Sequence, residues 1–236
     1  MKVRDVLVKV LEPGRLQMAW QQVRKNAGAA GIDQMTVAGF AQREEQLLAL
    51  IHDKLKSGNY RFQPARRVLI PKEGTSGMRK LGIPVVMDRI VGVSMHSVLE
   101  EIFDLDFTAS NFGFRRGRSQ HQAIRHVQRL VKEGREWAVA VDLKSFFDEI
   151  PHGLIQKLIR RKVADEQFVT LLTRLLKAGV IVNGAFEKTN KGCPQGSPLS
   201  PMLSNIVLNE LDNKLEERSL GYCRWADDFV IVVRSE

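Results

Sequence analysis

The sequence predicts an α+β fold in which an antiparallel sheet packs on helices. Three observations support this prediction. Apolar residues recur at helical spacing in several segments, short runs of β-branched and aromatic residues lie between those segments, and the dipeptide Asn183-Gly184 joins two such runs. The chain has 236 residues, of which 44% are hydrophobic, so it can bury a core and admits one large or two smaller domains.

The N-terminal part is predicted to hold three helices and a strand. Apolar spacing indicates a first helix around Trp20 and a second over residues 40–55. A strand is predicted over residues 66–70, and a third helix over residues 87–103. An apolar stripe of this kind is more often core than a binding face, so these helices are assigned to the core.

A further helix and strand follow in the middle of the chain. Ser119 and Gln122 have the spacing of a capping box, which predicts a helix that begins there and runs to Val131. Residues 139–141 form an apolar strand. Burial of that strand would carry Asp142 to its end, where the backbone meets solvent.

Two turn-rich segments organise the next part of the chain. Asn183-Gly184 suits a type I′ turn, so a hairpin is predicted over residues 180–186. The density of Gly and Pro in residues 192–201 predicts a loop. Ser200-Pro201 is a suitable N-cap and first-turn pair for an apolar helix over residues 202–215.

Adjacent carboxylates occupy a predicted hairpin turn near the end of the sequence. Asp227 and Asp228 stand between two strand-favouring runs, residues 222–226 and 229–233. Neighbouring carboxylates repel each other unless a cation compensates, and Mg²⁺ prefers one or two carboxylates together with phosphate oxygens. A solvated turn is the alternative, since Asp is common in turns. Asp142, at the end of another strand, favours the metal site.

Three blocks, in this order, resemble the palm motifs A, B and C of reverse transcriptases, in particular the group II intron type. They are residues 142–148, residues 194–201 and Ala226-Asp227-Asp228 at the hairpin. Upstream, residues 63–84 resemble the fingers block of that family, and residues 111–119 resemble the block that follows it. The resemblance covers nearly the whole chain.

This resemblance implies a right-hand polymerase fold. Fingers are expected over residues 1–110 and a palm with the three motifs over residues 111–236, while residues 150–195 are expected to contribute to the fingers. Relatives continue past the Asp-Asp hairpin with a helical thumb and often with maturase, DNA-binding or endonuclease regions. We therefore expect the thumb to be absent, the chain to be truncated and primer–template to be bound weakly.

The resemblance also implies RNA-directed DNA polymerisation by two-metal nucleotidyl transfer. Asp142, Asp227 and Asp228 are the implied catalytic residues, and Leu143 joins them in the implied site for two Mg²⁺ ions, for which Mn²⁺ can substitute. The expected substrates are a deoxynucleoside triphosphate, a DNA primer and an RNA template, and structured intron RNA is an expected partner. In-line phosphoryl transfer chiefly needs positioning and charge stabilisation, which such a site provides.

A nucleotide pocket is carried over from the family by position. Its implied residues are two basic side chains, one aromatic side chain and three residues of motifs B and C, namely Lys72, Arg79, Phe147, Gln195, Gly196 and Ala226. The basic pair would grip the triphosphate. The aromatic ring at position 147 would crowd the sugar 2′ position and favour deoxynucleotides. Because side chains alternate across a strand, only one of Phe146 and Phe147 is expected to face the site, and the choice stays open.

One position departs from the family pattern. The family usually has Tyr before Ala-Asp-Asp, whereas this chain has Trp225, a larger ring with a single N–H donor and no hydroxyl. We expect changed efficiency or fidelity, with the chemistry retained.

The charge of the chain suits a polyanionic partner. Lys plus Arg number 36 against 27 for Asp plus Glu, which gives a net charge of +9. Arg115, Arg116 and Arg118 form a dense cluster in which Phe112 and Phe114 interleave. Arginines with aromatics suit a nucleic-acid strand, so the three arginines are the expected nucleic-acid contacts.

Two rival functions follow from the same residues. The chain could be a non-catalytic module that binds intron RNA through its basic surface and helps splicing as a maturase. An RNA-dependent RNA polymerase on the same palm is disfavoured by Phe147, whose ring would exclude a 2′-hydroxyl.

The remaining features point to a reduced, cytoplasmic protein. Cys193 and Cys223 have no metal-ligand spacing, so no disulfide is expected. No signal-peptide pattern or membrane-length apolar run is visible, so no membrane partner is expected. Homodimerisation is left open.

Overall fold

A computed structural model describes residues 2–71, 74, 77–194 and 196–235. Lys72 and Gln195, two of the expected pocket residues, lie outside the described residues. The helices are α1 Val6–Leu11, α2 Pro13–Asn26, α3 Val37–Ala41, α4 Glu44–Lys56, α5 Val86–Phe103, α6 Gln120–Lys132, α7 Phe146–Glu149, α8 His152–Lys162, α9 Glu166–Leu176 and α10 Ser200–Glu217. The strands are β1 Ala65–Pro71, β2 Met78–Ile83, β3 Trp137–Asp142, β4 Val180–Val182, β5 Ala185–Glu187, β6 Gly221–Trp225 and β7 Asp228–Val233.

The chain forms two compact units that alternate along the sequence. The first unit joins Met1–Glu100 to Phe147–Ser200, and the second joins Glu101–Phe146 to Pro201–Glu236. Each unit has its own sheet. The assignment of residues 1–110 to fingers and 111–236 to palm stays a prediction.

The first unit contains helices that pack on one another and a four-stranded sheet with the strand order β2-β1-β4-β5. Strand β1 runs antiparallel to β2 and parallel to β4. The ring centroids of the buried Trp20 and Phe40 lie 4.5 Å apart, and Ile51 of α4 is fully buried. The apolar stripes that predict the early helices therefore belong to a core, as expected.

A buried carboxyl group ties helix α5 to the segment before β1. Asp88 accepts hydrogen bonds from the Tyr60 hydroxyl and the Gln63 amide, both at 2.8 Å. Burial is the main reason that the pKa of Asp88 is raised to about 7, and the hydrogen bonds from Tyr60 and Gln63 oppose that rise. The group is thus protonated over much of the pH range in which an exposed Asp is charged.

The second unit has a three-stranded antiparallel sheet with the order β3-β7-β6. Helix α6 packs against β6 and β7, and its apolar side joins Phe112, Ala123 and Cys223 in one cluster. The predicted capping box is present: the Gln122 amide donates to the Ser119 hydroxyl and the Ser119 amide donates to the Gln122 side chain.

The predicted α+β class is confirmed, and most elements lie close to their predicted positions. The hairpin of β4 and β5 turns at Asn183 and Gly184, whose φ angles of 49° and 84° are those of a type I′ turn. Helix α5 begins one residue before the predicted start at residue 87.

Two helix boundaries were predicted wrongly. Residues 40–55 form two helices, because the Thr36 side chain caps the short α3 and the chain turns before α4 begins at Glu44. Ser200 is the first residue of α10, one position later than an N-cap, and its hydroxyl donates to the Pro194 carbonyl, so it does not act as the predicted N-cap.

The segment after Asp142 also differs from its prediction. Strand β3 ends at Asp142, Ser145 takes a left-handed conformation with φ 53°, and Phe146 and Phe147 open helix α7. The argument that strand alternation places only one of these two rings toward the site is therefore wrong, since neighbouring residues of a helix are separated by about 100°.

Cys193 and Cys223 are both buried free thiols. Within the described parts of the chain, no helix combines the length and the apolar character that a membrane crossing requires.

Candidate active site

The hairpin of β6 and β7 holds the adjacent aspartates at its turn. Trp225 pairs with Asp228, so Ala226 and Asp227 form a two-residue loop. Ala226 has a φ of 59°, a left-handed conformation that is unfavourable for a residue with a Cβ. The surroundings must therefore hold this turn in place.

The register of β3 and β7 places two carboxylates opposite each other. Asp142 is the direct cross-strand partner of Asp228 at the end of the ladder. Directly opposed residues project from the same face, with Cβ atoms about 4.5–5.5 Å apart, and like charges in that position are destabilising. Both side chains are exposed. This juxtaposition is what a divalent cation would relieve.

The donor set fits Mg²⁺ in its chemistry. In the described part of the chain, no three His, Cys, Asp or Glu side chains converge closely enough to hold a metal ion by themselves. Mg²⁺ does not need such a cage, because it prefers one or two carboxylates completed by water and substrate phosphate oxygens. The structure brings Asp142 and Asp228 together and leaves Asp227 beside them in the turn.

Leu143 follows Asp142 in a tight turn. Its carbonyl accepts a hydrogen bond of 3.2 Å from the Phe146 amide. A carbonyl oxygen has a second lone pair, so this bond leaves room for the metal contact that the family resemblance implies.

A buried ion pair connects the hairpin of β6 and β7 to helix α10. Arg224 and Asp212 are fully buried, and the guanidinium meets the carboxylate through two contacts of 2.8 and 2.5 Å. The same guanidinium donates to the Ala226 carbonyl at 2.8 Å and to the Asn205 side chain at 3.0 Å. Helix α10 is thereby tied to the residue that precedes the aspartate pair.

A close backbone approach braces the other side of the turn. The Phe112 amide donates to the Arg224 carbonyl, and the Arg224 amide donates to the Ser110 carbonyl, both at 2.9 Å. A Cβ on Gly113 would overlap the backbone nitrogen of Ala226. Only glycine therefore fits at position 113 without displacing the hairpin.

The two carboxylates border an apolar groove of about 510 Å³. One wall is the side of α6 that carries Ala123 and Val127, and the other is formed by β3 and β7. Trp225 is half-buried against the cluster of Phe112, Ala123 and Cys223. The ring that replaces the family's Tyr thus packs as part of this wall.

The expected nucleotide-binding residues that are described lie mostly in the first unit. Arg79 is an exposed residue of β2 that pairs with Ile70. Gly196 has a φ of 99°, and a Cβ there would overlap the Gly82 carbonyl, so its loop lies directly on β2. Phe147 begins the second segment of this unit, and its carbonyl accepts the Cys193 amide at 2.7 Å. The roles of these residues stay predictions.

The three expected nucleic-acid arginines have different surroundings. Arg115 uses its five N–H donors within the second unit, on the Asp104 carboxylate and on the carbonyls of Asp104, Thr108 and Asn111. This network makes Arg115 a structural residue with no donor left for a phosphate, which corrects the expectation. Arg116 and Arg118 are exposed.

Sequence reasoning missed the residues that hold the turn. They are Gly113, Asn205, Asp212 and Arg224. An arginine inside an apolar strand is a signal that a partner is buried with it, because a buried charge needs pairing. Its partner on α10 could not be identified from one sequence.

Comparisons with known proteins show which family and fold the chain resembles. The family model for reverse transcriptase (RNA-dependent DNA polymerase) matches residues 70–236. Protein YkfC of Escherichia coli K12 is 36% identical over 99% of this chain and 71% of its own length. Group II intron-encoded protein LtrA of Lactococcus lactis is 38% identical over 91% of this chain, but the match spans only 36% of LtrA. A chain of the solved partial Cas6-RT-Cas1–Cas2 complex has the same fold, with a TM-score of 0.58 and 24% identity over 97% of this chain and 38% of its own length.

Proposed function

Because the chain belongs to the group II intron reverse transcriptase and maturase family, we propose that it extends a DNA primer on an RNA template by two-metal nucleotidyl transfer. The observation that supports this most directly is the pairing of Asp142 with Asp228 at one end of the palm-like sheet. Two like charges held in register are costly unless the site serves a cation.

The carboxylates would hold the metal at the place where the reacting ends of the substrates meet. Asp142 and Asp228 supply oxygen ligands from two neighbouring strands, while Asp227 and the Leu143 carbonyl lie next to them. In this arrangement bound Mg²⁺, or Mn²⁺ in its place, would supply charge neutralisation at the attacking 3′-hydroxyl and the leaving pyrophosphate. Arg224 and Gly113 fix the position of the turn, and positioning is a large part of catalysis in this reaction class.

The first unit would provide the nucleotide pocket. Exposed Arg79, together with Lys72, is suited to the triphosphate, since guanidinium and ammonium groups pair with phosphate oxygens. Gly196 lets its loop approach β2 closely, and Gln195 belongs to the same proposed set. Phe147 is the proposed selector of deoxynucleotides.

Primer extension tests the proposal. A labelled DNA primer on an RNA template is incubated with the chain, deoxynucleotides and Mg²⁺, and the variants Asp142→Asn and Asp228→Asn are compared with Asp53→Asn. Asp53 is a matched control because it is an exposed carboxylate of α4 in the other unit. We expect extension by the parent and the control, and none by the two site variants.

Metal binding gives a second readout that does not depend on activity. Mn²⁺ titration followed by electron paramagnetic resonance should show binding that weakens in Asp142→Asn and Asp228→Asn and is unchanged in Asp53→Asn. Equal Mn²⁺ binding by all four proteins would refute the metal site. Metal binding without extension, together with tight binding of structured intron RNA that survives Asp228→Asn, would instead support the non-catalytic maturase function.

A further inference from the structure

One side of helix α6 carries a group of cationic side chains that the proposed active site does not use. A cavity of about 410 Å³ in the second unit is lined by seven residues, namely Ala109, Phe112, Arg118, Gln122, Arg125, His126 and Arg129. Three of them are arginines, and all three are exposed. We call Arg118, Arg125 and Arg129 the arginine face.

The spacing of these residues places them on one side of the helix. Gln122, Arg125 and Arg129 follow one another at intervals of three and four residues, which is the spacing of neighbours on a helix surface. The groove beside Asp142 and Asp228 is lined by Ala123, Ile124, Val127 and Gln128 of the same helix. At about 100° per residue these two sets lie on opposite sides of α6. The arginine face is therefore separate from the carboxylates.

Aromatic and imidazole contacts hold two of the arginines in position. The Arg118 guanidinium lies over the Phe112 ring, 5.2 Å from its centroid. Arg129 donates to the Nδ1 atom of His126 at 2.9 Å, while the other ring nitrogen of His126 is 2.9 Å from the Tyr222 carbonyl. Since Nδ1 accepts, the proton of this imidazole resides on Nε2 and is donated to Tyr222. The ring is thus a neutral support for Arg129.

The remaining charges leave the face strongly positive. Arg125 has no hydrogen-bond or ion-pair partner in the described part of the chain. The acid that faces the group is Glu133, whose carboxylate is 3.9 Å from Arg129 and is itself half exposed, which makes it a weak partner. Three cations against one partly exposed acid leave a net positive charge that attracts an anion with several charges.

We propose that the arginine face binds the sugar–phosphate backbone of a nucleic-acid strand at a place separate from the proposed active site. Arg125 and Arg129 are four residues apart, which corresponds to about 6 Å along the helix. Successive phosphates of one strand can therefore meet successive arginines. Contacts of this kind fix the path of a strand and carry no sequence information. The inference rests on the proposed function only for the class of ligand.

Salt dependence of binding tests this inference. Fluorescence anisotropy of labelled oligouridylate and oligothymidylate is measured in EDTA at several salt concentrations, so neither metal nor catalysis is involved. For single strands the slope of log K against log salt is about −0.7 for each phosphate contact, so three contacts contribute about 2 to the slope. In the variant Arg118→Gln/Arg125→Gln/Arg129→Gln this slope should be smaller in magnitude by about 2 with both oligonucleotides.

Charge-matched variants provide the controls. Lys25→Gln/Lys54→Gln/Lys56→Gln removes three exposed cations of the first unit and should leave the slope unchanged. Replacing the three arginines by lysine keeps the charges and should keep the slope. Thermal unfolding of each variant verifies that it is folded.

The outcomes separate this inference from the proposed function. An unchanged slope in the arginine-to-glutamine variant overturns the inference, and so does an equal loss in the lysine control, because binding would then be generic electrostatics. A loss confined to RNA or to DNA overturns recognition through phosphates. If primer extension fails but the slope changes as expected, the proposed activity is refuted and the inference about the arginine face still holds.

Discussion

Replacing Arg224 with Met should destabilise the protein severely and deform the turn that carries Asp227. The guanidinium is fully buried and makes four hydrogen bonds, two to Asp212, one to Asn205 and one to the Ala226 carbonyl. Its removal leaves the Asp212 carboxylate buried without its cation. Breaking such a pair by removing one partner typically costs about 3–5 kcal/mol. That is a large part of the roughly 5–15 kcal/mol that holds a domain folded.

Urea unfolding followed by circular dichroism measures this cost. The companion variant Asp212→Leu/Arg224→Met removes both charges, so we expect it to be more stable than Arg224→Met alone by about 1 kcal/mol or more. Lysine at position 224 keeps the charge but not the planar fork, and it should restore only part of the loss. A cost below about 1 kcal/mol for Arg224→Met would refute the view that this pair supports the hairpin.

Three further predictions follow from single positions. Gly113→Ala should lower the rate of primer extension by about 100-fold, because its Cβ would overlap the nitrogen of Ala226 and move the turn. Gly153→Ala is the control. Its Cβ would meet nothing within 4 Å, so it should leave the rate unchanged. The pKa of Asp88 is about 7 in the folded protein, whereas an exposed Asp has a pKa near 4. The free energy of unfolding should therefore fall as the pH rises from about 4 to 7, and it should recover on acidification. Urea unfolding of the parent and Asp88→Asn at pH 5 and pH 8 tests this: the parent should lose stability relative to the variant at pH 8, and equal differences at the two pH values would contradict it. Phe147→Ala should raise ribonucleotide incorporation in the extension assay, and no change would remove Phe147 as the selector.

The predictions that succeeded from sequence alone rest on local chemistry. The Ser119 and Gln122 capping box, the Asn183-Gly184 turn and the strand that ends at Asp142 are each specified by residues close together in the chain. The failures have two physical causes. The run around Phe146 is aromatic and favours a strand, but the strand ends at Asp142, and a turn with a left-handed Ser145 leads into a helix.

The second cause is that support for the site comes from residues that are distant in sequence. Asp142 and Asp228 could be named as ligands, yet their cross-strand register becomes visible only in the folded sheet. The same holds for Arg224 and Asp212, since nothing in one sequence says which acid pairs with a buried arginine. Arg115 was misread for a similar reason, because an arginine in a basic cluster looks available until its partner Asp104 is seen.

The alternation of the two units along the chain has a consequence for how the protein is made. In the first unit β1 needs β4 as its parallel neighbour, and in the second β3 needs β7. During synthesis β1 can pair at once with β2, but its parallel neighbour β4 emerges long after it, and β3 has to wait for β7. Pairings of such long sequence separation form slowly, since the chain must close a large loop before any contact stabilises it. All strands of the first unit are synthesised before β7, so the sheet of the second unit should form last, with Asp142 unpartnered until β7 arrives.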